Sequence, residues 1–484
     1  MRSPADRRPL AVLAVLGLVL ALVFGLDPKS RPTNLLTDFN AFYCAGASLD
    51  RGADPYRSEP LGACERAPRP AWLASSQPGL AIPAPLPPYA LGFFALLARL
   101  PYVAAAFLWW ALLAAALVVT ARALRAATGL PWAAVIAAIA LGDGYVGLAL
   151  GQIAPVAIAC IAVAMRLLED GSDAAAGWVA ALAMLEPHVG LPGCVALFLW
   201  NPRARLSLVG GAAVLALVSF GFGQSSWHEY FAAVLPAHAA AEIANVKQLS
   251  LTYVAHRLGA GDASALRLGD LCYLATCALG IALAPRVART AGAPGLIVAI
   301  PAAFAVVGGP FVHIAQIGVA LPAALLLYAR NEAARPVLRW AIAALALPFV
   351  QLGSLGWLFP MFAAIACVTL LVALEMPPLV AAGAGAAALA LPLIAWSLIV
   401  THIPSPAPTL VAHYDPGALA ENSWAWYVRL VGTSDPLAYD LAKLPTWAGL
   451  CALVWSGFAT ARGYGSRAFA LAGNGNARAG RIAV

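Results

Sequence analysis

The chain has 484 residues, of which 62% are hydrophobic and only 11% are charged. An ordinary soluble domain carries about 25% charged residues, so this composition excludes a soluble globular protein, a disordered chain and a collagen-like one. The net charge of +7 does not indicate a nucleic-acid partner here, because in membrane proteins positive residues also set the topology.

The first apolar run, residues 9–26, follows Arg2, Arg7 and Arg8. A secretory signal peptide begins in the same way, but no small-residue cleavage site follows this run. We therefore predict a retained first span with its N-terminus in the cytoplasm.

Residues 27–102 form a long Pro-rich segment of mixed polarity. The stretch from Pro87 to Leu100 is too short for a span, and we predict a helix that lies along the outer interface. Cys44 and Cys64 share this segment. They would form a disulfide if it faces an oxidising compartment, and the sequence leaves that question open.

Further apolar runs occupy most of the remaining chain, although several are shorter than the roughly 20 residues that a spanning helix needs. Counting each run as a span gives about 12 to 14 spans, which predicts an all-α, polytopic transmembrane protein. The runs are 103–121, 132–148, 152–166, 174–186, 188–200, 206–222, 266–284, 294–308, 314–329, 336–353, 355–374, 378–400 and 445–461.

Arginine alternates between the connections of these runs, as the positive-inside rule requires. The connections assigned to the inner side carry Arg122, Arg125, Arg166, Arg203, Arg205, Arg286, Arg289, Arg330, Arg335 and Arg339. The short outer connections near 149–151, 187, 309–313 and 354 carry neither Lys nor Arg. We expect a single polytopic domain in the plasma (inner) membrane, with both termini cytoplasmic and residues 462–484 as a cytoplasmic tail.

Three long segments then lie on the outer side, at 27–102, 223–265 and 401–444. They are too long to be simple connectors, and loops of this length often carry function. The second contains a predicted interfacial helix from Trp227 to Ala244. The third contains the aromatic stretch Ser423 to Tyr427, which is typical of the membrane–water interface.

Asp38 is the leading candidate for chemistry. It lies near the start of a predicted helix, residues 38–49, about a dozen residues beyond the first span. Aspartate also favours helix caps, so a capping role is an equally simple interpretation of the sequence.

Other polar residues lie at the outer ends of apolar runs. Gln152 separates two short runs, and Glu186 and His188 separate two more. A carboxylate at that depth is costly unless it is paired or lines a wet cavity, although a helix-end position would also explain it. Lys247 and Arg257 could bind a phosphate or could be solvated loop charges.

The predicted topology places all seven histidines on the outer side, where loop composition alone explains most of them. It also brings several polar residues from separate stretches to one membrane face. They are Asp38, Gln152, Glu186, His188, Gln248 and His313. The chain has no P-loop, no dinucleotide fingerprint and no HExxH motif, so the sequence does not support nucleotide-driven chemistry.

Several short motifs, in order between about residues 34 and 330, resemble glycosyltransferase family 87 of the GT-C superfamily. They are Asp38-Phe39 with Tyr43, Ala45 and Gly46; Gly52-x-Asp54-Pro55-Tyr56; Pro87-Pro88; Gly151-Gln152; Gln248-x-Ser250-Leu251 with Arg257; and His313 before an apolar run. One departure is Glu186-Pro187, where the family usually has Lys-Pro.

The resemblance implies a GT-C-like fold and an inverting hexosyltransferase of the cell envelope. Such enzymes move a sugar, mannose in the best-known members, from a polyprenyl-phosphate carrier to a glycolipid or glycan on the outer face. The sequence demands no cofactor and no metal, and it leaves open whether a carboxylate binds a divalent cation. The partners are membrane lipids, the lipid-linked donor and the acceptor.

The mechanism expected from this resemblance makes Asp38 the general base for an acceptor hydroxyl. The substrate-binding candidates are His313, Lys247 and Arg257 for the phosphate, Gln152 and Gln248 for sugar hydroxyls, and Tyr43, Ser250, Glu186 and His188 from the motifs and the outer cluster. The alternatives are a transporter or flippase of a lipid-linked sugar, and a non-catalytic scaffold.

Overall fold

The computed structural model describes residues 35–221, 225–347, 349, 358–398, 407–432 and 436–463. The predicted first span at 9–26, most of the predicted tail and His402 lie outside these residues. Within them the chain is helical, with two isolated bridges, Leu35 with Leu73 and Arg57 with Leu419, as its only β-type pairings. The predicted all-α, polytopic class is confirmed.

Five helices of the described residues are long and apolar enough to cross a membrane, or six if the bent pair Ile314–Arg330 and Glu332–Ala346 counts as one span. The other apolar helices are shorter, at 10–17 residues. The count of about 12 to 14 spans treated each short run as a separate span, and it stays a prediction. The five long helices are Tyr102–Thr128, Trp132–Leu150, Pro202–Phe220, Asp262–Ala291 and Leu437–Ala461; the shorter ones are Pro88–Leu97, Asp173–Leu185, Pro187–Trp200, Leu296–Gly308, Pro360–Ala373 and Pro378–Leu391.

Proline and glycine set the ends of these helices. The helix Tyr102–Thr128 begins after Pro101 and ends at Gly129, whose φ of 71° is the left-handed conformation that terminates helices. The helix ends further along the chain than the predicted run 103–121 because Arg125 is compatible with its last turn, where a cation faces the negative end of the helix dipole.

The span Trp132–Leu150 contains a wider π-helical turn at Ala140–Val146, around the buried Asp143. Glycines flank Asp143 in the sequence, and such a pair suggests an interrupted helix. Within the described residues, neither carboxyl oxygen of Asp143 has a hydrogen-bond partner.

The outer segments carry shorter helices. The predicted helix 38–49 is present as Thr37–Asp50, and the predicted interfacial helix 227–244 is present as three consecutive helical pieces. The helices of the outer segments are Thr37–Asp50, Ser58–Glu65, Pro88–Leu97, Ser225–Glu229, Tyr230–Val234, Leu235–Glu242, Leu251–Arg257, Ala407–Ala412 and Ala420–Gly432.

The three outer segments pack against one another, and we refer to them together as the outer layer. Arg57 of the first segment pairs with Glu229 of the second. Tyr56 accepts a backbone hydrogen bond of 2.9 Å from Ala420 of the third. The functional side chains of the outer segments are thus held by contacts between segments that are far apart in sequence.

A disulfide joins Cys44 to Cys64, with 5.6 Å between their Cα atoms. It ties Thr37–Asp50 to Ser58–Glu65 and answers the question that the sequence left open. The helix Thr37–Asp50 also approaches the helix Pro88–Leu97 closely at Gly46, where a Cβ atom would lie 2.4 Å from the backbone of Phe94.

Candidate active site

Two backbone positions place Asp38 beside Gln152: Leu36, at the start of the helix Thr37–Asp50, and Gly151. Leu36, at the N-cap of Thr37–Asp50, has a left-handed φ of 61° and donates a 2.7 Å hydrogen bond to the carbonyl of Ala149. Gly151 has φ 72°, and a Cβ atom there would lie 2.7 Å from Cβ of Phe39. Only glycine combines this conformation with this close approach, so Gly151 lets Gln152 reach the start of the helix.

The side-chain amide of Gln152 donates a hydrogen bond to the carboxylate of Asp38. Leu36 is the N-cap of this helix, and Asp38 is its second residue. The capping role that the sequence allowed for Asp38 is therefore not the role that the structure gives it. Its side chain points to a residue 114 positions further along the chain.

Burial, with a smaller contribution from the negative charge of Glu242, raises the pKa of the Asp38 carboxyl from 3.8 to about 7. The hydrogen bond from Gln152 and the positive charge of Lys247 act in the opposite direction. A carboxyl group that titrates near neutral pH is well matched to proton transfer.

Lys247 is a positively charged partner of Asp38. Its side chain is exposed, whereas that of Asp38 is partly exposed. Its charge acts on the Asp38 carboxyl, and we refer to the solvent-facing region between these two side chains as the recess.

Gln248 joins the second outer segment to the loop before the helix Ile314–Ile317. Its side-chain oxygen accepts a 2.6 Å hydrogen bond from the backbone of Val312, and its amide nitrogen donates one of 2.7 Å to Glu242. The same nitrogen lies 3.2 and 3.3 Å from the two ring nitrogens of His313. The amide is thus occupied by protein groups, and its predicted contact with a sugar stays a prediction.

Glu242 is almost completely buried and accepts three hydrogen bonds. Trp424 donates one of 2.5 Å to Oε1, and Asn245 and Gln248 each donate one of 2.7 Å to Oε2. Burial would raise the pKa of this carboxyl, but His313, His238 and these hydrogen bonds outweigh burial and lower it.

His238 lies on the same helix face as Glu242, one turn earlier. The ligand atoms of His238, Glu242 and His313 all lie within 4.8 Å of one another, which is a spacing compatible with a metal ion. Burial lowers the pKa of His238 to about 4, so its ring is neutral at pH 7.

A second polar group lies behind Phe311. The ring of His188 is 5.1 Å from that of Phe311, and the ring of His238 is 5.0 Å from it on another side. Gln316 interacts with the side chains of Glu186 and His188 and accepts a 2.8 Å hydrogen bond from the backbone of His313. The structure therefore brings Glu186, His188 and His313 together, as the topology predicted.

Three predicted substrate-binding residues are engaged elsewhere. Tyr43 donates a 2.9 Å hydrogen bond to the carbonyl of Leu100. Ser250 caps the helix Leu251–Arg257 by accepting a 3.2 Å hydrogen bond from the backbone of Tyr253. Arg257 is exposed and pairs with Asp440 at 3.1 Å. Among the described residues, none of these three side chains forms a hydrogen bond or an ion pair with Asp38 or Glu242.

Four residues of the site were not predicted from the sequence: Glu242, His238, Gln316 and Trp424. One signal was available, since His238 and Glu242 are four residues apart in a predicted helix and must therefore share a face. No pattern in the sequence pairs Trp424 with Glu242, because 182 positions separate them.

Comparison with known proteins gave one match. Residues 86–310, a little under half of the chain, match the family model described as Glycosyltransferase family 87. No match was found among curated proteins or among solved structures. The matched range contains Gln152, Glu186 and Glu242, whereas Asp38 precedes it and His313 lies just beyond it. Residues 86–310 are therefore similar to glycosyltransferase family 87, the family that the sequence motifs also resemble.

Proposed function

We propose that the protein transfers a hexose, with mannose favoured by the resemblance, from a polyprenyl-phosphate carrier to a glycolipid or glycan acceptor. The observation that carries the proposal is Asp38, a partly exposed carboxyl group in the recess of the outer layer, in a chain similar to glycosyltransferase family 87. Its pKa of about 7 lets it accept a proton at neutral pH. Gln152 fixes the orientation of its carboxylate.

The chemical step follows from this arrangement. The acceptor oxygen forms a bond to the anomeric carbon, and the hydroxyl proton passes to the Asp38 carboxylate. The bond between that carbon and the phosphate oxygen breaks, and the electron pair leaves with the lipid phosphate. Attack opposite the leaving group inverts the anomeric carbon. The lipid phosphate is a good leaving group and needs no general acid.

Positive and hydrogen-bonding groups are needed where the phosphate departs. Lys247 is suited to this role because it lines the recess and its charge acts on Asp38. His313 is half-buried on the Glu242 side of the same recess. Arg257 is held by Asp440, so we assign it to the second outer segment's structure rather than to the phosphate.

Two observations support an outward-facing site in the plasma membrane, with both termini cytoplasmic. Disulfides persist in oxidising compartments, and the bond between Cys44 and Cys64 lies in the same segment as Asp38. The arginine-rich connections occupy the opposite ends of the apolar runs.

The test is transfer by the purified protein in lipid nanodiscs, with a panel of radiolabelled polyprenyl-phosphate sugars and lipid acceptors. We expect product from one sugar, with mannose first, and no product from nucleotide sugars. No transfer from any lipid-linked donor would overturn the proposal.

A transporter or flippase of a lipid-linked sugar is the second candidate. Asp143 favours it, because a buried carboxyl group without a hydrogen-bond partner inside a candidate span is typical of transport pathways. The 116° bend between Ile314–Arg330 and Glu332–Ala346 also resembles a broken transporter helix. Movement of one lipid-linked sugar across liposomes, without transfer, would favour this function.

A further inference from the structure

Three side chains on the recess side of the second outer segment form a compact set of metal-type donors. His238 and Glu242 are four residues apart on the helix Leu235–Glu242, and His313 lies immediately before the helix Ile314–Ile317. One ligand atom from each lies within 4.8 Å of the others. Two histidine nitrogens and one carboxylate oxygen are the donor set of many three-ligand zinc sites.

Hydrogen bonds within the protein do not use all the donor atoms of this set, so some of them are available to an ion. His238 is 5% exposed, and its Nδ1 atom is buried without a hydrogen-bond partner, which is costly unless something binds there. A carboxylate has about four acceptor directions. Trp424, Asn245 and Gln248 occupy three of those of Glu242, so one direction is free for a metal.

The surroundings of Glu242 also have the form of a metal site. Groups that hydrogen-bond to a ligand fix its orientation and are a regular part of such sites. Three donors from two outer segments hold this one carboxylate, which is far more than a solvated side chain requires. Metal–ligand bonds of about 2.0–2.1 Å would bring the three ligand atoms, which now lie within 4.8 Å of one another, around one ion.

We propose that His238, Glu242 and His313 bind a divalent transition-metal ion, with Zn²⁺ as the best match to the donors. Three protein ligands leave the fourth coordination position open, as in catalytic rather than structural zinc sites. The open position would face the recess, since His313 is partly exposed and the charge of Glu242 acts on Asp38.

The consequence for chemistry rests on the proposed function. An ion at this position would offer a positive charge to the departing phosphate oxygen. This charge would add to that of Lys247, because Asp38 and Glu242 are both acidic and Lys247 is the one cation among the described groups that act on the Asp38 carboxyl. The binding of the ion itself does not depend on which reaction the protein catalyses.

The experiment measures metal content directly. The full chain is purified through a tag without histidine, stripped with a chelator, and dialysed against Zn²⁺ alone, and bound metal is counted by mass spectrometry. We expect one ion per chain. We expect His238→Asn, Glu242→Gln and His313→Asn each to weaken binding by more than the roughly 10–100-fold that loss of a supporting residue costs.

The matched control is His188→Asn. His188 contacts the same Phe311 ring as His238 but is not part of the donor set, so this variant should keep the ion. Equal binding by wild type and all three ligand variants would mean an adventitious ion only and would overturn the proposal. Wild-type protein that binds no ion under these conditions would also overturn it.

A spectroscopic measurement keeps the proposal testable if the variants fail to fold. Co²⁺ bound to wild-type protein should give the visible absorption of a four- or five-coordinate site, and excess Zn²⁺ should remove it. The absence of any such absorption would count against the site. Transfer is measured separately, so a protein that binds metal but transfers no sugar would contradict the proposed function and leave the metal site standing.

Discussion

Asp38 and Glu242 are two carboxyl groups of one recess in opposite environments. Backbone geometry at Leu36 and Gly151 positions Asp38, which accepts one side-chain hydrogen bond, from Gln152. Side chains from two outer segments hold Glu242 with three hydrogen bonds. The pKa of the first is raised to about 7 and that of the second is lowered. Divergent pKa values in neighbouring carboxyl groups indicate different roles: one can exchange a proton, and the other stays charged.

The largest expected effect comes from Asp38→Asn. Asparagine keeps the shape of the side chain and can accept the hydrogen bond from Gln152, but it cannot take a proton. Transfer should fall by about 10²–10⁴-fold, the usual contribution of a general base, while membrane insertion is unchanged. Initial rates of transfer in nanodiscs measure this. Activity within a factor of a few of wild type would remove Asp38 from the base role.

The pH dependence sharpens the contrast between the two carboxyl groups. Because the base must be ionised, kcat/KM should rise with pH through about 7 and then level off. Stability should change in the opposite sense. The native state holds the Asp38 proton between pH 3.8 and about 7 while the unfolded chain releases it, so this contribution to stability is lost as pH rises through 7.

Asp38→Asn is the control for this predicted loss of stability at high pH. The variant should lack this loss and be at least as stable as wild type at pH 8, as measured by thermal unfolding in detergent. A Tm for the variant that falls below that of wild type only at high pH would contradict the assignment of the titration to Asp38.

Gly151→Ala should disturb the backbone that positions Gln152 beside Asp38. The substitution puts a Cβ atom at φ 72° and 2.7 Å from Cβ of Phe39, so we expect a loss of about 1–3 kcal/mol in stability and a weakened contact between Gln152 and Asp38. Gly171→Ala is the matched control, because its φ is 73° and a Cβ there meets nothing within 4 Å. Equal effects of the two variants on transfer would show that backbone strain, not the position of Gln152, is responsible.

Trp424→Phe should weaken the hydrogen bonding that holds the Glu242 carboxylate. It removes the hydrogen bond to Oε1 of Glu242 and keeps most of the ring. We expect weaker metal binding and slower transfer, each by about 10-fold. Trp426→Phe is the control on the same helix, since Trp426 stacks on His413 at 4.0 Å. Identical results for the two variants would mean that the indole of Trp424 does not hold Glu242.

The smallest expected effect is that of Ser250→Ala. Loss of the helix cap at Leu251–Arg257 should cost about 0.5–2 kcal/mol, read as a modest fall in Tm. Ser250→Thr keeps a side-chain hydroxyl and should retain most of the stability that Ser250→Ala loses. A fall in transfer out of proportion to the fall in stability would instead support the substrate contact that the sequence predicted for Ser250.

The sequence by itself determined the class of protein, since 62% hydrophobic residues with 11% charge are compatible only with a lipid environment. Local spacing also placed the helix at Asp38 and the interruption at Asp143, because turn and helix periodicity are short-range properties. It did not count the spans, because a short apolar run can be a span, a half-span or an interfacial helix.

Only the tertiary structure decided which polar residues meet. It paired Asp38 with Gln152 and Glu242 with Trp424, and it occupied Tyr43, Ser250 and Arg257 elsewhere. Apart from the local helix cap at Ser250, these contacts join residues that are 57 to 183 positions apart, and a hydrogen bond depends on distance in space, not on position in the chain. The low content of charged residues limited the number of candidate site residues, and the packing of the outer layer determined which of them meet.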